Sequence, residues 1–173
     1  TNDGNPFFLD LFHHENFRRT YISRRDGMVH VFGQMGVLKQ SIIVSPNLRP
    51  HMCFADEEYV YILLKNFAET QNYLAIHYRS SGIFFQSLAL ESDIVAMVTF
   101  DDGLLLFNAG DNTASLYRAQ GHFIDYTLNL NLSGDLLDVE HIPETNGFVL
   151  ATENDVYYNY DLLQGAPVSL GIS

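Results

Sequence analysis

Four glycines recur along this chain at a nearly constant interval, and each lies between two short apolar or aromatic runs. They are Gly36, Gly82, Gly121 and Gly165, separated by 46, 39 and 44 residues. The surrounding segments are VHVFGQMGVLKQSI (29–42), AIHYRSSGIFFQSL (75–88), SLYRAQGHFIDYTL (115–128) and YYNYDLLQGAPVSL (157–170). Glycine adopts positive φ without steric cost, which is what the tight turn of a β-hairpin requires. The pattern therefore predicts one hairpin repeated four times.

A second turn signal precedes each of the later hairpins. An acidic or Asn/Gly turn comes before an apolar run at Glu58, Gly103 and Gly147, which are 45 and 44 residues apart. Each unit is therefore predicted to contain four short strands. In the third unit we expect them at 94–100, 104–108, 114–118 and 122–132. In the opening unit we expect them at 7–12, 19–23, 28–32 and 37–44, with a tight turn at Asp26-Gly27.

Four antiparallel strands every 39–46 residues resemble the blade repeat of β-propellers. The hairpin of such repeats, with an acid and then a glycine between two strands, is best seen at YDLLQG (160–165). The resemblance implies an all-β, β-propeller-like fold of about four blades. It predicts a single domain over 1–173, with units at about 6–45, 51–91, 93–133 and 136–173. A β-sandwich or jelly roll is the alternative, because short strands with regular turns also build those folds.

Composition restricts the partners of the chain. Its 9 basic and 21 acidic residues give a formal charge of −12, whereas nucleic-acid binding needs a cationic surface. We therefore expect no nucleic-acid partner. No apolar run approaches the roughly 18 residues of a membrane-spanning helix, so we expect no membrane span. The single cysteine, Cys53, lies between apolar neighbours and is predicted to be a buried, unreactive thiol.

Two strings of polar residues could suggest a metal site. His13-His14-Glu15 is the first, but adjacent histidines on a strand face opposite ways, so we expect this run to lie in a loop at 13–17 or to be split. Asp101-Asp102-Gly103 is the second, but it runs directly into Leu-Leu-Leu-Phe and lacks the alternating ligands of a calcium loop. We predict a hairpin turn there. The sequence thus predicts no metal site and no cofactor.

The predicted architecture indicates where a ligand would bind. In a propeller the connections from second to third strand, and from fourth strand to the next first strand, share one end, which we call the loop face. They are expected at 46–50, 67–72, 91–93, 109–113, 133–135 and 153–155. The candidate ligand-binding residues on these loops are Arg49, Asp93, Asp111, Asn112 and Asp155.

Two functions follow from this arrangement as hypotheses. The first is a non-catalytic binding or scaffold module that recognises a protein or another extended ligand through the loop face. The alternative is a carbohydrate-active hydrolase, which would need two carboxyl groups about 5–10 Å apart across a cleft. The acids considered for such a pair are Glu91, Asp93, Glu140 and Asp155. A protein or a carbohydrate is thus the expected partner. A homodimer, or the missing blades of a larger chain, would complete the ring, unless the four blades close by themselves or the chain serves as one segment of a scaffold.

Overall fold

The computed structural model describes residues 8–14, 18–24, 26–44, 47–68, 70–100, 103–118, 123–142, 145, 147–159, 161–162 and 165–172. These residues form sixteen strands in four antiparallel sheets of four strands each. The chain divides into two compact units, which we call unit 1 (Thr1–Glu91) and unit 2 (Ser92–Ser173). The predicted four units of four antiparallel strands are confirmed, while their union in a single domain stays a prediction.

Each sheet is formed by four strands in the order in which they occur along the chain. In unit 1 the first sheet contains β1 (Phe8–His14), β2 (Arg19–Arg24), β3 (Met28–Phe32) and β4 (Leu38–Ile43), and the second contains β5 (Leu48–Ala55), β6 (Tyr59–Asn66), β7 (Asn72–Tyr78) and β8 (Phe84–Leu90). In unit 2 the sheets contain β9 (Ile94–Phe100), β10 (Gly103–Asn108), β11 (Thr113–Arg118) and β12 (Phe123–Asn129), then β13 (Leu136–His141), β14 (Phe148–Thr152), β15 (Val156–Asn159) and β16 (Val168–Ser169).

The periodic glycines lie in the connections between third and fourth strands wherever the structure describes them. Gly36 and Gly82 have φ of +70° and +68°, the region in which a side chain would be strained. Gly165 lies between β15 and β16, and its carbonyl accepts a hydrogen bond of 2.6 Å from Asn159 Nδ2. Gly121 lies outside the described residues. The tight turn at Asp26-Gly27 is confirmed, with Gly27 at φ +86°.

The core of unit 1 lies between its two sheets. Tyr21, Val29 and Ile42 from the first sheet pack with Ile62 and Ala75 from the second, and all five are buried. Cys53 belongs to the same cluster and is 2% exposed, which confirms the predicted buried thiol. Full burial of an aliphatic side chain such as that of Val29 or Ile42 contributes about 1.5–3 kcal/mol. Packing of one sheet on the other therefore stabilises unit 1.

The core of unit 2 has the same construction. Leu105, Phe107 and Leu116 of one sheet pack with Phe148 and Leu150 of the other, and the Phe107 and Phe148 rings are 5.1 Å apart between centroids. Every residue of β10 is buried, as is the 59–64 part of β6 in unit 1. The second strand of each of these two sheets is thus buried on both faces.

Several predicted boundaries are wrong in detail. Arg49 was expected in a loop but lies in β5. His13 and His14 belong to β1, so the loop alternative is wrong for these two residues, while Glu15 is outside the described residues. The predicted hairpin between β9 and β10 is confirmed, because the two strands pair antiparallel with Gly103 opposite Phe100, while Asp101 and Asp102 lie outside the described residues.

Candidate functional site

The predicted loops of unit 2 are brought together at one end of that unit. This loop end comprises residues 92–93, 109–112, 130–135 and 153–155. The Ala109 amide donates to the Asp93 carbonyl at 2.8 Å, and the Ser92 hydroxyl donates to Asp111 Oδ2 at 3.1 Å. Farther along, the Glu153 amide donates to the Asp135 carbonyl at 3.2 Å. These bonds link each loop to a neighbour that is distant in sequence.

Asn112 is the central connection of the loop end. Its Nδ2 donates to the Gly134 carbonyl at 2.8 Å, and its Oδ1 accepts from the Leu136 amide at 3.0 Å. Its backbone has φ +51°, a conformation that asparagine tolerates better than most residues. The predicted ligand-binding side chain therefore joins the β10–β11 loop to the segment entering β13, and both of its polar atoms have partners inside the protein.

A second set of bonds fixes the loops at 133–135 and 153–155. Thr152 Oγ1 donates to the Ser133 carbonyl at 2.8 Å and accepts from the Asp155 amide at 3.1 Å. The Tyr157 hydroxyl accepts from the Ser133 amide at 3.0 Å. These contacts are made between side chains and backbone, so the conformation of both loops is determined by the polar residues around them.

Asp155 is also engaged within unit 2. Its carboxylate accepts hydrogen bonds from the Ser169 hydroxyl, from the Val156 amide at 2.7 Å and from the Ile172 amide at 3.0 Å. These donors, with that of Ser169 first, hold the pKa of Asp155 below its ordinary value of 3.8. The general acid of a glycosidase needs a raised pKa, so the shift at Asp155 runs against that role. Elsewhere among the acids considered, Glu140 lies within β13 and Glu91 follows β8.

The exposed surface of the loop end is acidic. Four acidic residues of the loop end are exposed, namely Asp93, Asp111, Asp135 and Glu153. The backbone groups of Asp93, Asp135 and Glu153 form the hydrogen bonds described above. Asp111 accepts hydrogen bonds at both oxygens, from Ser92 and from Thr113 at 3.1 Å each. The loop end thus presents four acidic residues to solvent, and the carboxylate of Asp111 is held by two hydrogen bonds.

Arg49 differs from the other predicted residues because it lies in unit 1. Its guanidinium lies 4.4 Å from the centroid of the Phe67 ring, a cation–π contact across β5 and the β6–β7 connection. Its strand partner is Lys65. Arg49 is half-buried, and its side chain packs against the exposed ring of Phe67.

Sequence reasoning missed a pocket lined by cations in unit 1. This cation pocket has a volume of about 500 Å³. It is lined by Arg19, Tyr21, Val31, Lys39, Gln40, Arg79, Ser80 and Ser81. Its residues come from β2, β3 and β4 and from the turn after β7, at the end of the sheets where the periodic glycines turn. Three of the nine basic residues of the chain therefore meet in one cavity.

Local geometry explains how the pocket is formed. Arg19 and Tyr21 are two apart on β2 and face the same side of the sheet. At Gly33, an added Cβ would lie 2.7 Å from Arg19 Nη1 and 2.8 Å from Lys39 Cε. The side chains of Arg19 and Lys39 therefore both pack against this glycine. Arg79 Nε donates to the Glu57 carbonyl at 2.8 Å. Burial raises the pKa of the Tyr21 hydroxyl, and the charges of Arg79 and Arg19 oppose that rise.

An adjoining cavity of about 580 Å³ lies on the opposite side of β2. Arg18, Thr20 and Ile22 line it, alternating along the strand with the residues of the cation pocket. His13 also lines this cavity, and its Nδ1 lies 2.9 Å from Thr20 Oγ1. Across the described part of the chain, no three His, Cys, Asp or Glu side chains are grouped to hold a metal ion. Within the same residues, no helix has the length and apolar character of a membrane span.

Comparison with known proteins identifies the fold and no family. No family model matches the sequence, and no curated protein matches it. The structure is similar to that of BBS1N, a propeller domain solved in complex with ARL6DN, with a TM-score of 0.71 at 14% identity over 99% of this chain and 55% of that chain.

It is also similar to the computationally designed proteins Ika4 and Ika8. The TM-score is 0.62 at 14% identity for Ika4, over 89% of this chain and 91% of that chain. For Ika8 it is 0.61 at 15% identity, over 88% of this chain and 45% of that chain. The chain thus spans about half the length of BBS1N and of Ika8. These likenesses show that the protein has an all-β, propeller-like fold.

Proposed function

We propose that this chain is a non-catalytic binding module that recognises a protein through the loop end of unit 2. The observation that carries the proposal is the hydrogen-bond network among the loops, with Asn112 at its centre. A surface held in one conformation before binding loses little conformational freedom when a partner docks, which favours affinity. The hydrogen-bonded loops of unit 2 form a surface of this kind.

The charge of the loop end defines the partner. Asp93, Asp111, Asp135 and Glu153 present carboxylates to solvent, on a chain whose formal charge is −12. Such a surface attracts a basic patch on another protein and accelerates the encounter, an effect that salt weakens. The proposed partner is therefore a protein with a basic surface. The crystal structure of BBS1N in complex with ARL6DN supports the proposal, since BBS1N has a similar fold and is bound to a protein in that structure.

The test is a charge reversal with a matched control. Asp135→Lys combined with Glu153→Lys reverses two exposed side chains of the loop end and leaves the Glu153–Asp135 backbone bond in place. Glu57→Lys combined with Glu140→Lys makes the same change in net charge at two exposed positions outside the loop end. Partners cross-linked to the wild-type chain in its native cells would be identified by mass spectrometry, and their affinity measured with purified proteins.

We expect the loop-end variant to weaken the interaction about tenfold or more and the control to leave it within about twofold. The wild-type affinity should also fall as salt rises from about 50 mM to about 300 mM, because screening weakens attraction between exposed charges. Equal loss in both variants, or full affinity in the loop-end variant, would overturn the proposal. Circular dichroism of each variant verifies that the sheets remain folded.

A further inference from the structure

We propose that the cation pocket of unit 1 binds a phosphate group carried by a phosphorylated peptide segment. The inference does not depend on the loop end of unit 2, since it concerns different residues. Three cations face one cavity in a chain that is otherwise strongly acidic. No carboxylate is found among the residues that line the cavity in the described part of the chain. A dianion is the group that such a set of like charges attracts most strongly.

The chemistry of the lining matches a phosphate oxyanion. Arginine offers a planar set of donors that binds phosphate in a bidentate manner, and lysine adds a compact positive charge. Arg19, Arg79 and Lys39 supply these groups. Ser80, Ser81 and the Gln40 amide add neutral donors at the same cavity. A phosphomonoester with about two negative charges at neutral pH satisfies several of them at once.

The pocket is formed before any ligand arrives. Arg79 is fixed by its bond to the Glu57 carbonyl and by a hydrogen bond to the Tyr21 hydroxyl. The turn after β7 lies close against β4, since an added Cβ at Gly82 would be 2.1 Å from Gln40 Nε2. The buried Tyr21 and Val31 form the floor. Fixed donors lose little freedom on binding, so they favour a specific anion over diffuse counterions.

Two further features favour a peptide as the carrier of the phosphate. The volume of about 500 Å³ exceeds that of a single oxyanion, given that a water molecule occupies about 30 Å³. The turn that contributes Arg79, Ser80 and Ser81 also carries Ile83, whose apolar side chain is 64% exposed. Val37, two residues before Lys39, is 52% exposed. A segment with an apolar residue beside its phosphorylated side chain could contact these groups, whereas an anionic membrane would be repelled by the net charge of −12.

The probes are inorganic phosphate and the blocked pentapeptide Ala-Leu-phosphoserine-Leu-Ala, with its unphosphorylated form as the negative control. Titration calorimetry with the full chain at physiological salt gives the affinities. Lys39→Gln and Arg19→Gln each remove one positive charge from the pocket. Arg18→Gln removes the same charge from the neighbouring residue, which lines the cavity on the opposite face of β2. A third arm uses phosphatidylcholine vesicles that contain a phosphoinositide.

We expect the phosphopeptide to bind more tightly than inorganic phosphate and the unphosphorylated peptide not to bind. Lys39→Gln and Arg19→Gln should each weaken phosphopeptide binding about tenfold, as the loss of one charge-assisted contact predicts, while Arg18→Gln changes it less than about twofold. Absence of binding by both phosphate probes, or an equal loss in Arg18→Gln, would overturn the site. Two results would overturn a peptide as the ligand of the pocket. One is that inorganic phosphate binds as tightly as the phosphopeptide, and the other is that the protein binds the vesicles but not the phosphopeptide. Because Lys39 is exposed, the unfolding transition of Lys39→Gln should match that of the wild type, so lost binding is not lost folding.

Discussion

The loop end of unit 2 and the cation pocket of unit 1 are both built from polar residues near strand ends, but the polar atoms are used differently. In the loop end, Asn112 and Asp155 direct their side chains to backbone groups of their own unit. In the pocket, Arg19 and Lys39 line a cavity. The comparison shows that a polar residue in a loop can be a structural connector, while charged residues that line a cavity can lie on strands.

The strongest test of this difference is the substitution Asn112→Ala. It removes the hydrogen bonds to Gly134 and Leu136 and places alanine at φ +51°. Each bond contributes about 0.5–1.5 kcal/mol, and the left-handed conformation costs about 1–2 kcal/mol. We expect the free energy of unfolding of unit 2 to fall by about 3 kcal/mol, measured by denaturant titration.

Asn112→Gly separates the two contributions. Glycine accepts positive φ, so this variant should lose only the part that comes from the hydrogen bonds and fall between Asn112→Ala and the wild type. If Asn112→Ala unfolds within about 0.5 kcal/mol of the wild type, Asn112 is not a connector, and a role in ligand binding would again be the better interpretation.

In unit 1, His77 is expected to make the stability depend on pH. It is buried in β7, its Nδ1 lies 2.9 Å from the Gly82 carbonyl, and it therefore supports the turn that carries Arg79 and the serines of the pocket. Burial lowers the pKa of His77 from 6.5, against a smaller opposing effect of the Gly82 carbonyl. The unfolded chain then binds more protons than the folded one below pH 6.5. We expect the stability of unit 1 to be constant above that pH and to fall as the pH drops through the folded pKa.

The slope should reach at most about 1.4 kcal/mol per pH unit, because one proton is involved. His77→Gln is the control: it keeps a donor for the Gly82 carbonyl and removes the titration. Chemical unfolding at a series of pH values between about 7 and 5 compares the two proteins. Parallel curves would show that His77 is not held neutral by its burial.

The sheets were predictable from sequence because turn glycines and apolar runs are local signals. The position of Arg49 was not, since Arg49 falls within the loop expected at 46–50. In the structure Pro50 lies on an edge strand beside an irregularity in the register between Pro50 and Met52, one of the few strand positions that proline tolerates. The cation pocket could not be predicted either. Arg19 and Arg79 are 60 residues apart, and only the packing of two sheets brings them to one cavity.

Asp155 tests the loop end in a different pH range, with a smaller expected effect than that of His77. Hydrogen bonds from Ser169, Val156 and Ile172 favour its ionised form, so its contribution to stability is complete above pH 3.8 and is lost as the pH falls through the folded pKa. Asp155→Asn should therefore be less stable than the wild type at neutral pH. The difference should shrink below pH 3.8 and vanish once the wild-type carboxyl is protonated in the folded state, as thermal unfolding at each pH would record. A constant difference at every pH would mean that the charge of Asp155 does not stabilise the loop end. Of the two pH effects on stability predicted here, only that of His77 in unit 1, which begins near pH 6.5, would then remain.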